Sequence, residues 1–164
     1  LEETSYKLFP ELRDIASDWK TWYIKKKPIF IDLVKQGVDL MPGAENVLKH
    51  LAKNQIKHAV VTHSPMELIS IIRDQHDCLK NIEYWFTRED YKLPKPHPEC
   101  YLYAQERLGA PKGKVVGFED SPRGIKALIA AEMKPIWVSP DDHPGKDEIL
   151  DPNILHVPDL LALS

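Results

Sequence analysis

Val115-Val116-Gly117-Phe118-Glu119-Asp120-Ser121-Pro122-Arg123-Gly124 holds the transition that decides the fold. An apolar run of strand type ends in two adjacent carboxylates, and a helix start follows at once. Ser121 is a residue that caps helices, and Pro122 suits the first helical position, where its missing N–H would be unbonded anyway. Two carboxylates side by side repel each other unless a cation sits close by. The carboxyl end of a strand is also where open α/β sheets place their ligands. A solvated acidic turn with a capping serine accounts for the same residues without any chemistry, so the neighbouring segments must decide.

Outward from this stretch the chain alternates between helix and strand patterns. Ala44, Val47, Leu48 and Leu51 make one helix face, and His58-Ala59-Val60-Val61-Thr62 reads as a short buried strand. Ser64-Pro65-Met66-Glu67 has the form of a capping box and leads into Leu68, Ile69, Ile71 and Ile72. Tyr84-Trp85-Phe86 is the next strand. A helix is expected from Glu99 to Leu108 with Gly109 as its stop, then a strand from Val115 to Phe118, a helix from Pro122 to Ala131 and a strand from Pro135 to Val138. Leu155-His156-Val157 and Leu160-Leu161 add a strand and a last helical turn. Parallel strands need crossover connections, so this alternation predicts an α/β fold with a doubly wound parallel sheet. Ahead of it, Leu12, Ile15, Trp19, Trp22 and Tyr23 fall on one helix face that ends in Lys25-Lys26-Lys27. Pro28 is expected to open a second short helix carrying Ile29, Phe30, Leu33 and Val34, with Gly37 as its stop.

The 164 residues suffice for one domain with a sizeable core, and 43% hydrophobic with 29% charged residues is ordinary for a globular protein. A net charge of -3 gives neither a basic footprint for nucleic acid nor a polybasic patch for a membrane surface. Apolar runs are shorter than a membrane span, so neither a membrane-spanning helix nor a signal peptide is expected from these residues. Cys78 and Cys100 have no zinc-like or redox-motif spacing and read as reduced packing thiols of a cytoplasmic protein.

Three chemistry-bearing sites end consecutive strands. Thr62 places a hydroxyl beside the backbone N–H groups of a coming helix, which suits an anion such as phosphate, although a strand-ending threonine is commonly just β propensity. Lys95, in Leu93-Pro94-Lys95-Pro96-His97-Pro98, is held by stiff prolines, so its ammonium is placed to neutralise a phosphoryl group. Most lysines in such loops are merely solvated, and Lys92 next to the rigid unit is read that way. Glu119 and Asp120 offer hard oxygens that suit Mg²⁺, which takes one or two protein carboxylates and keeps waters. Together the three sites form a phosphoryl-transfer constellation.

Val60-Val61-Thr62-His63-Ser64, Lys95-Pro96-His97-Pro98-Glu99-Cys100-Tyr101 and Gly117-Phe118-Glu119-Asp120-Ser121-Pro122-Arg123-Gly124-Ile125 resemble motifs II, III and IV of the haloacid dehalogenase superfamily. The likeness is closest to the β-phosphoglucomutase-like phosphatases with a helical cap, and Met41-Pro42-Gly43-Ala44 looks like that family's approach to motif II. The resemblance implies a Rossmannoid core over residues 38–164 and the C-terminal part of a helical cap over residues 1–37. It makes Thr62, His63 and Lys95 phosphate-binding residues, with Thr62 and Lys95 catalytic. It makes Glu119 and Asp120 Mg²⁺ ligands, directly or through water. His63 departs from the family's usual Asn, which leaves its side-chain role open. The acidic pair favours phosphate esters over carbon–halogen bonds, since the superfamily's dehalogenases work without Mg²⁺.

The superfamily's first motif, Asp-x-Asp-x-Thr/Val, supplies the nucleophile and is not found in these residues. Phe30-Ile31-Asp32-Leu33-Val34 is its nearest match, but Val34 stands where the second aspartate belongs, so a cap helix is the preferred reading. The missing strand would lie between those ending in Thr62 and Glu119 and would leave both edges unpaired. Together with the opening Leu1-Glu2-Glu3, this predicts the C-terminal portion of a longer protein, inactive by itself for lack of the nucleophile. The expected function is a Mg²⁺-dependent phosphohydrolase, or less favourably a phosphomutase, acting on a small phosphorylated metabolite through an aspartyl-phosphate. The alternative is a non-catalytic binding or interaction module of the same fold. A monomer or a strand-exchanged homodimer is expected, with no nucleic-acid or membrane partner.

Overall fold

A computed structural model describes residues 11–16, 18–149 and 151–163, without the side chain of Trp19. Two units are distinguished, Leu1–Val38 and Asp39–Ser164, and the first ten residues of the expected cap segment lie outside the described residues.

In the first unit a short helix α1 (Leu12–Ile15) ends at Ala16, whose backbone is extended (φ -155, ψ 132). Helix α2 then runs from Trp19 to Lys35. The expected single face from Leu12 to Tyr23 is therefore broken, because Asp18 caps a new helix. Its carboxylate accepts from the Thr21 N–H at 2.9 Å and from the Thr21 hydroxyl at 2.7 Å, the arrangement that satisfies orphan first-turn donors. The two helices expected around Pro28 are one, with Pro28 inside α2. A proline in mid-helix removes one backbone hydrogen bond and strains a turn, and α2 accommodates that loss. The Lys26 ammonium lies 4.9 Å from the ring centroid of Trp22 and 5.3 Å from that of Phe30, tying the turns on both sides of Pro28. Gly37 follows the helix at φ 119, as its stop. Asp32 lies inside α2, so it does not end a strand as a first-motif aspartate must.

The second unit starts with α3 (Ala44–Lys53), led in by Gly43 at φ 85. Only glycine fits there: a Cβ would come within 2.3 Å of the Leu160 and Leu161 backbone, and the Leu160 N–H donates to the Pro42 carbonyl at 3.1 Å. The C-terminal 3₁₀ turn (Leu160–Leu163) is thus seated on the entry to α3. Strand β1 (Ala59–Val61) pairs in parallel with β2 (Tyr84–Phe86), Val61 opposite Phe86. Between them lie α4 (Met66–Gln75) and α5 (Asp77–Lys80). The capping box expected at Ser64 is not formed. The Ser64 N–H donates instead to the Thr62 hydroxyl at 3.1 Å, Pro65 becomes the cap position, and Glu89 accepts from the Met66 N–H at 3.3 Å.

Helix α6 (Glu99–Leu108) stops at Gly109 in the left-handed region, as its sequence predicts. A second parallel sheet has the order β3 (Val116–Glu119), β4 (Lys134–Val138), β5 (Leu155–Val157), with Glu119 opposite Trp137 and Val138 opposite Val157. Helix α7 (Pro122–Ala130) begins as expected, the Ser121 hydroxyl accepting from the Gly124 N–H at 3.1 Å. Its Ile125, Ala127 and Leu128 and the Cys100 of α6 are wholly buried. Tyr91, Tyr101, Ala131 and Met133 complete this core, against which Val61 and Val115 pack. Full burial of a leucine such as Leu128 contributes about 1.5–3 kcal/mol, so this layer fixes the ends of β1 and β3 relative to α6 and α7. Among the described residues, β1 and β3 each have one edge without a strand partner. No helix among them is long and apolar enough to cross a membrane.

Candidate active site

The carboxyl ends of β1 and β3, the loop carrying Lys95 and the first turn of α7 enclose a cavity of about 540 Å³. Thr62, His63, Lys95, Glu119 and Asp120 all line it. Residues up to 58 positions apart in the chain are brought together because all three segments leave their strands at the same end.

Thr62 is pinned on every side. Its N–H donates to the Phe86 carbonyl at 2.9 Å, extending the β1–β2 ladder, and its own carbonyl accepts from the Tyr91 hydroxyl at 2.9 Å. The threonine hydroxyl accepts from the Ser64 N–H and donates to no group among the described residues. That leaves one O–H available to an anion in the cavity.

His63 is exposed at the rim, its Nδ1 lying 3.3 Å from the Tyr91 hydroxyl. Because the phenol proton is used on the Thr62 carbonyl, Nδ1–H donates to the phenol oxygen and Nε2 keeps its lone pair. Partial burial, followed by the nearby cations Arg88, Arg123 and Lys95, holds the imidazole below its ordinary pKa. In its neutral form His63 therefore presents an acceptor, and it can donate to a phosphate only once protonated. Burial pushes the Tyr91 phenol far up, so it stays a donor.

Lys95 reaches inward from its proline-flanked loop. Its ammonium donates to the Val61 carbonyl at 3.2 Å and to Glu119 Oε1, and lies 4.8 Å from the centroid of the Tyr101 ring. The side chains of the pair are only 14% and 7% exposed. The Tyr101 hydroxyl donates to the same Glu119 oxygen, and burial beside that carboxylate drives the phenol strongly upward. The other oxygen, Oε2, faces Gly124, where a Cβ would stand 1.8 Å away. Glu119 is thus enclosed by an ammonium, a phenol and a glycine. The cation that the acidic pair requires is, for Glu119, the chain's own Lys95.

Asp120 is different: it is exposed and lines the cavity without a hydrogen-bond or ion-pair partner among the described residues. The donor set meets Mg²⁺ chemistry in part. Asp120 offers the hard, accessible oxygen that the ion takes alongside waters and phosphate, whereas Glu119 is engaged by Lys95 and Tyr101. No cluster of three or more His, Cys, Asp or Glu side chains forms among the described residues.

Three further residues take part that sequence reasoning does not single out. Arg123 donates from Nε at 3.1 Å and Nη2 at 2.7 Å to the Lys95 carbonyl, while Tyr91 and Tyr101 hold Thr62 and Glu119. Each acts across 18 to 29 positions in sequence, a range on which local periodicity is silent. Tyr101 had one available signal, its place on the apolar face of α6 with a polar tip that must find a partner when buried. Lys92 is exposed, its backbone N–H donating to Glu99 at 3.2 Å, in keeping with a solvated side chain.

The family model for haloacid dehalogenase-like hydrolases matches residues 3–132. The chain is 32% identical over 129 residues to a phosphorylated carbohydrates phosphatase of Thermotoga maritima, covering 77% of this chain and 57% of that protein. It is 44% identical over 111 residues to glycerol-1-phosphate phosphohydrolase 1 of Saccharomyces cerevisiae, covering 60% of this chain and 42% of that protein. The crystal structure of a β-phosphoglucomutase from Clostridium difficile superimposes with a TM-score of 0.68 at 22% identity, over 91% of this chain and 64% of that one; at that identity it shows the fold. The chain spans about half the length of the curated relatives it matches. A match over most of its residues, together with the motif-bearing strand ends gathered on one cavity, establishes that the chain belongs to the haloacid dehalogenase-like hydrolase family.

Proposed function

We propose that the protein is a Mg²⁺-dependent phosphohydrolase acting on phosphate monoesters of small sugars or polyols. The observation that carries this reading is the convergence of Thr62, Lys95 and Asp120 on a single cavity, with Glu119 holding Lys95 from behind. The names of the two relatives support the substrate class, one for phosphorylated carbohydrates and one for glycerol 1-phosphate.

In this reading the Thr62 hydroxyl donates to a phosphoryl oxygen. The Lys95 ammonium neutralises charge on the transferring group, and it stays in place because Glu119 and the Val61 carbonyl fix it. Asp120 holds Mg²⁺, which when bound supplies Lewis-acid polarisation of the phosphoryl oxygens. Glu119 contributes to the metal side only behind its bond to Lys95. The nucleophile is an aspartate outside these 164 residues. Its carboxylate oxygen bonds to phosphorus as the ester P–O bond breaks, and the alcohol leaves with a proton given by the first motif's second aspartate, likewise outside these residues, which takes a proton back from the water of the next step. Water then cleaves the aspartyl-phosphate, giving inorganic phosphate and the free carboxylate. A cytoplasmic location belongs to the same proposal, since Cys78 and Cys100 are both free thiols.

The test is turnover of p-nitrophenyl phosphate and a panel of sugar and polyol phosphates by the full-length protein, with Mg²⁺ and with chelator. Mg²⁺-dependent release of phosphate, fastest on a sugar or polyol ester, is the expected result. No turnover of any ester with Mg²⁺ present overturns the enzyme reading in favour of a phosphate-binding module.

A further inference from the structure

Lys95 stands in a loop that is poor in its own backbone donors. Pro94, Pro96 and Pro98 carry no N–H, so little within residues 93–98 can hold the strand of chain around the lysine. The ties within and beside the segment are few: Glu99 accepts from the Lys92 and Leu93 N–H groups at 3.2 and 2.7 Å, the His97 N–H donates to the Pro94 carbonyl at 3.1 Å, and the Glu99 N–H donates to His97 Nδ1 at 3.2 Å. None of them holds the Lys95 backbone. That is done from another element, by the guanidinium of Arg123, whose Nε and Nη2 both donate to the Lys95 carbonyl at 3.1 and 2.7 Å.

We infer that Arg123 is a positioning residue that clamps Lys95 to the acidic strand end. The inference deepens the phosphohydrolase reading and rests on it for its kinetic readout. Arg123 belongs to the helical turn directly after Glu119 and Asp120, and the same turn supplies the Ser121 cap and the Gly124 gap that receives Glu119. One short segment therefore sets three things at once: the acidic pair, the space for Glu119 and the backbone of the lysine that pairs with it. Lys95 is gripped at both ends, its carbonyl by Arg123 and its ammonium by Val61 and Glu119. Without the outer grip the loop is free to shift and to draw the ammonium off its position in the cavity. Misplacement of a catalytic group by about 1 Å costs up to about 100-fold in rate. A lysine in place of Arg123 keeps the charge and loses the rigid fork that meets one oxygen with two N–H groups. Arg123 is exposed, so its replacement leaves the core intact.

The experiment compares wild-type, Arg123→Met and Arg123→Lys full-length protein. Two readouts are taken: kcat and KM on p-nitrophenyl phosphate, and hydrogen exchange of peptides covering residues 92–99 by mass spectrometry. A positioning role predicts that both variants lose kcat by about tenfold or more, with KM changed by less than about threefold, and that residues 92–99 exchange faster at unchanged Tm. Unchanged kcat in Arg123→Met overturns the inference. So does a pattern in which Arg123→Met raises KM alone and Arg123→Lys restores it, because that is the signature of a point charge attracting the substrate. Should wild type turn over no phosphate ester, the phosphohydrolase reading fails and hydrogen exchange decides the clamp by itself: faster exchange at 92–99 supports it, and identical exchange overturns it.

Discussion

Replacing Gly124 by alanine sets two effects of opposite sign against each other. Gly124 lies in the first turn of α7 with no left-handed backbone to protect, so helix propensity alone makes alanine better by about 1 kcal/mol. The new methyl group, however, would stand 1.8 Å from Glu119 Oε2, 2.1 Å from Cδ and 2.7 Å from Cγ, against 3.4 Å for ordinary contact. A free glutamate would swing away at little cost. Glu119 is buried and held by Lys95 and Tyr101, so it can yield only by stretching those bonds. Overpacking costs about 1–3 kcal/mol, and complete loss of one partner of a buried ion pair about 3–5 kcal/mol. A displaced but still charged Glu119 lies between these, and after the propensity gain the expected net destabilisation is about 1–3 kcal/mol. Urea denaturation of full-length wild type, Gly124→Ala, Glu119→Ala and the double variant measures it. In the Glu119→Ala background the obstructing atoms are gone, and Gly124→Ala should change sign to stabilise by up to about 1 kcal/mol. Stabilisation by Gly124→Ala in the wild-type background would refute the packing described here.

Three further outcomes follow from the same site. Lys95→Ala leaves the Glu119 carboxylate buried with the Tyr101 phenol alone, which should cost about 3–5 kcal/mol in denaturant unfolding and lower kcat at least about 100-fold. Tyr101→Phe keeps the ring under the Lys95 ammonium and deletes only the donor to Glu119; its unfolding free energy should fall by about 1.5–3 kcal/mol, the value of a hydrogen bond to a charged group. His63 is held below its ordinary value of 6.5, so the unfolded chain takes up the proton first as pH falls. Its contribution to stability is complete above pH 6.5 and is lost as the pH drops through the folded-state pKa. NMR titration should place the folded-state pKa below 6.5, and His63→Gln should remove that part of the stability slope; a folded-state value at or above 6.5 would contradict the assigned environment.

Local signals carried the parts of the fold that local physics controls. The Gly109 stop of α6 and the Ser121 cap of α7 each rest on a few adjacent residues, and the structure has them as read; the strands read as His58–Thr62 and Val115–Phe118 are present with shifted ends, at Ala59–Val61 and Val116–Glu119. Where two local rules compete, the tertiary environment chose. Pro28 can open a helix or interrupt one, and in α2 it interrupts without ending it. Ser64 can cap a helix or bond its own turn, and the Thr62 hydroxyl claimed its N–H. The gathering of Thr62, His63, Lys95, Glu119 and Asp120 on one cavity was legible because strands that alternate with helices run parallel and present their carboxyl ends on one side, here across two sheets. Their division of labour was not. Glu119 and Asp120 are chemically alike and adjacent in sequence, yet one faces the core beneath Lys95 and Tyr101 and the other faces the cavity. Strand alternation separates them, but only the long-range arrival of Lys95 shows which one is already neutralised.

The proposed function requires that this cavity handle a phosphate ester through Lys95 and a metal-holding Asp120. Its most direct test is the Mg²⁺ dependence of phosphate release by full-length wild type and Asp120→Asn on the same sugar or polyol phosphate. Turnover should require Mg²⁺ in the wild type, and Asp120→Asn should lose at least about tenfold, partly restored by added Mg²⁺. Equal rates for the two proteins across the Mg²⁺ range would contradict it.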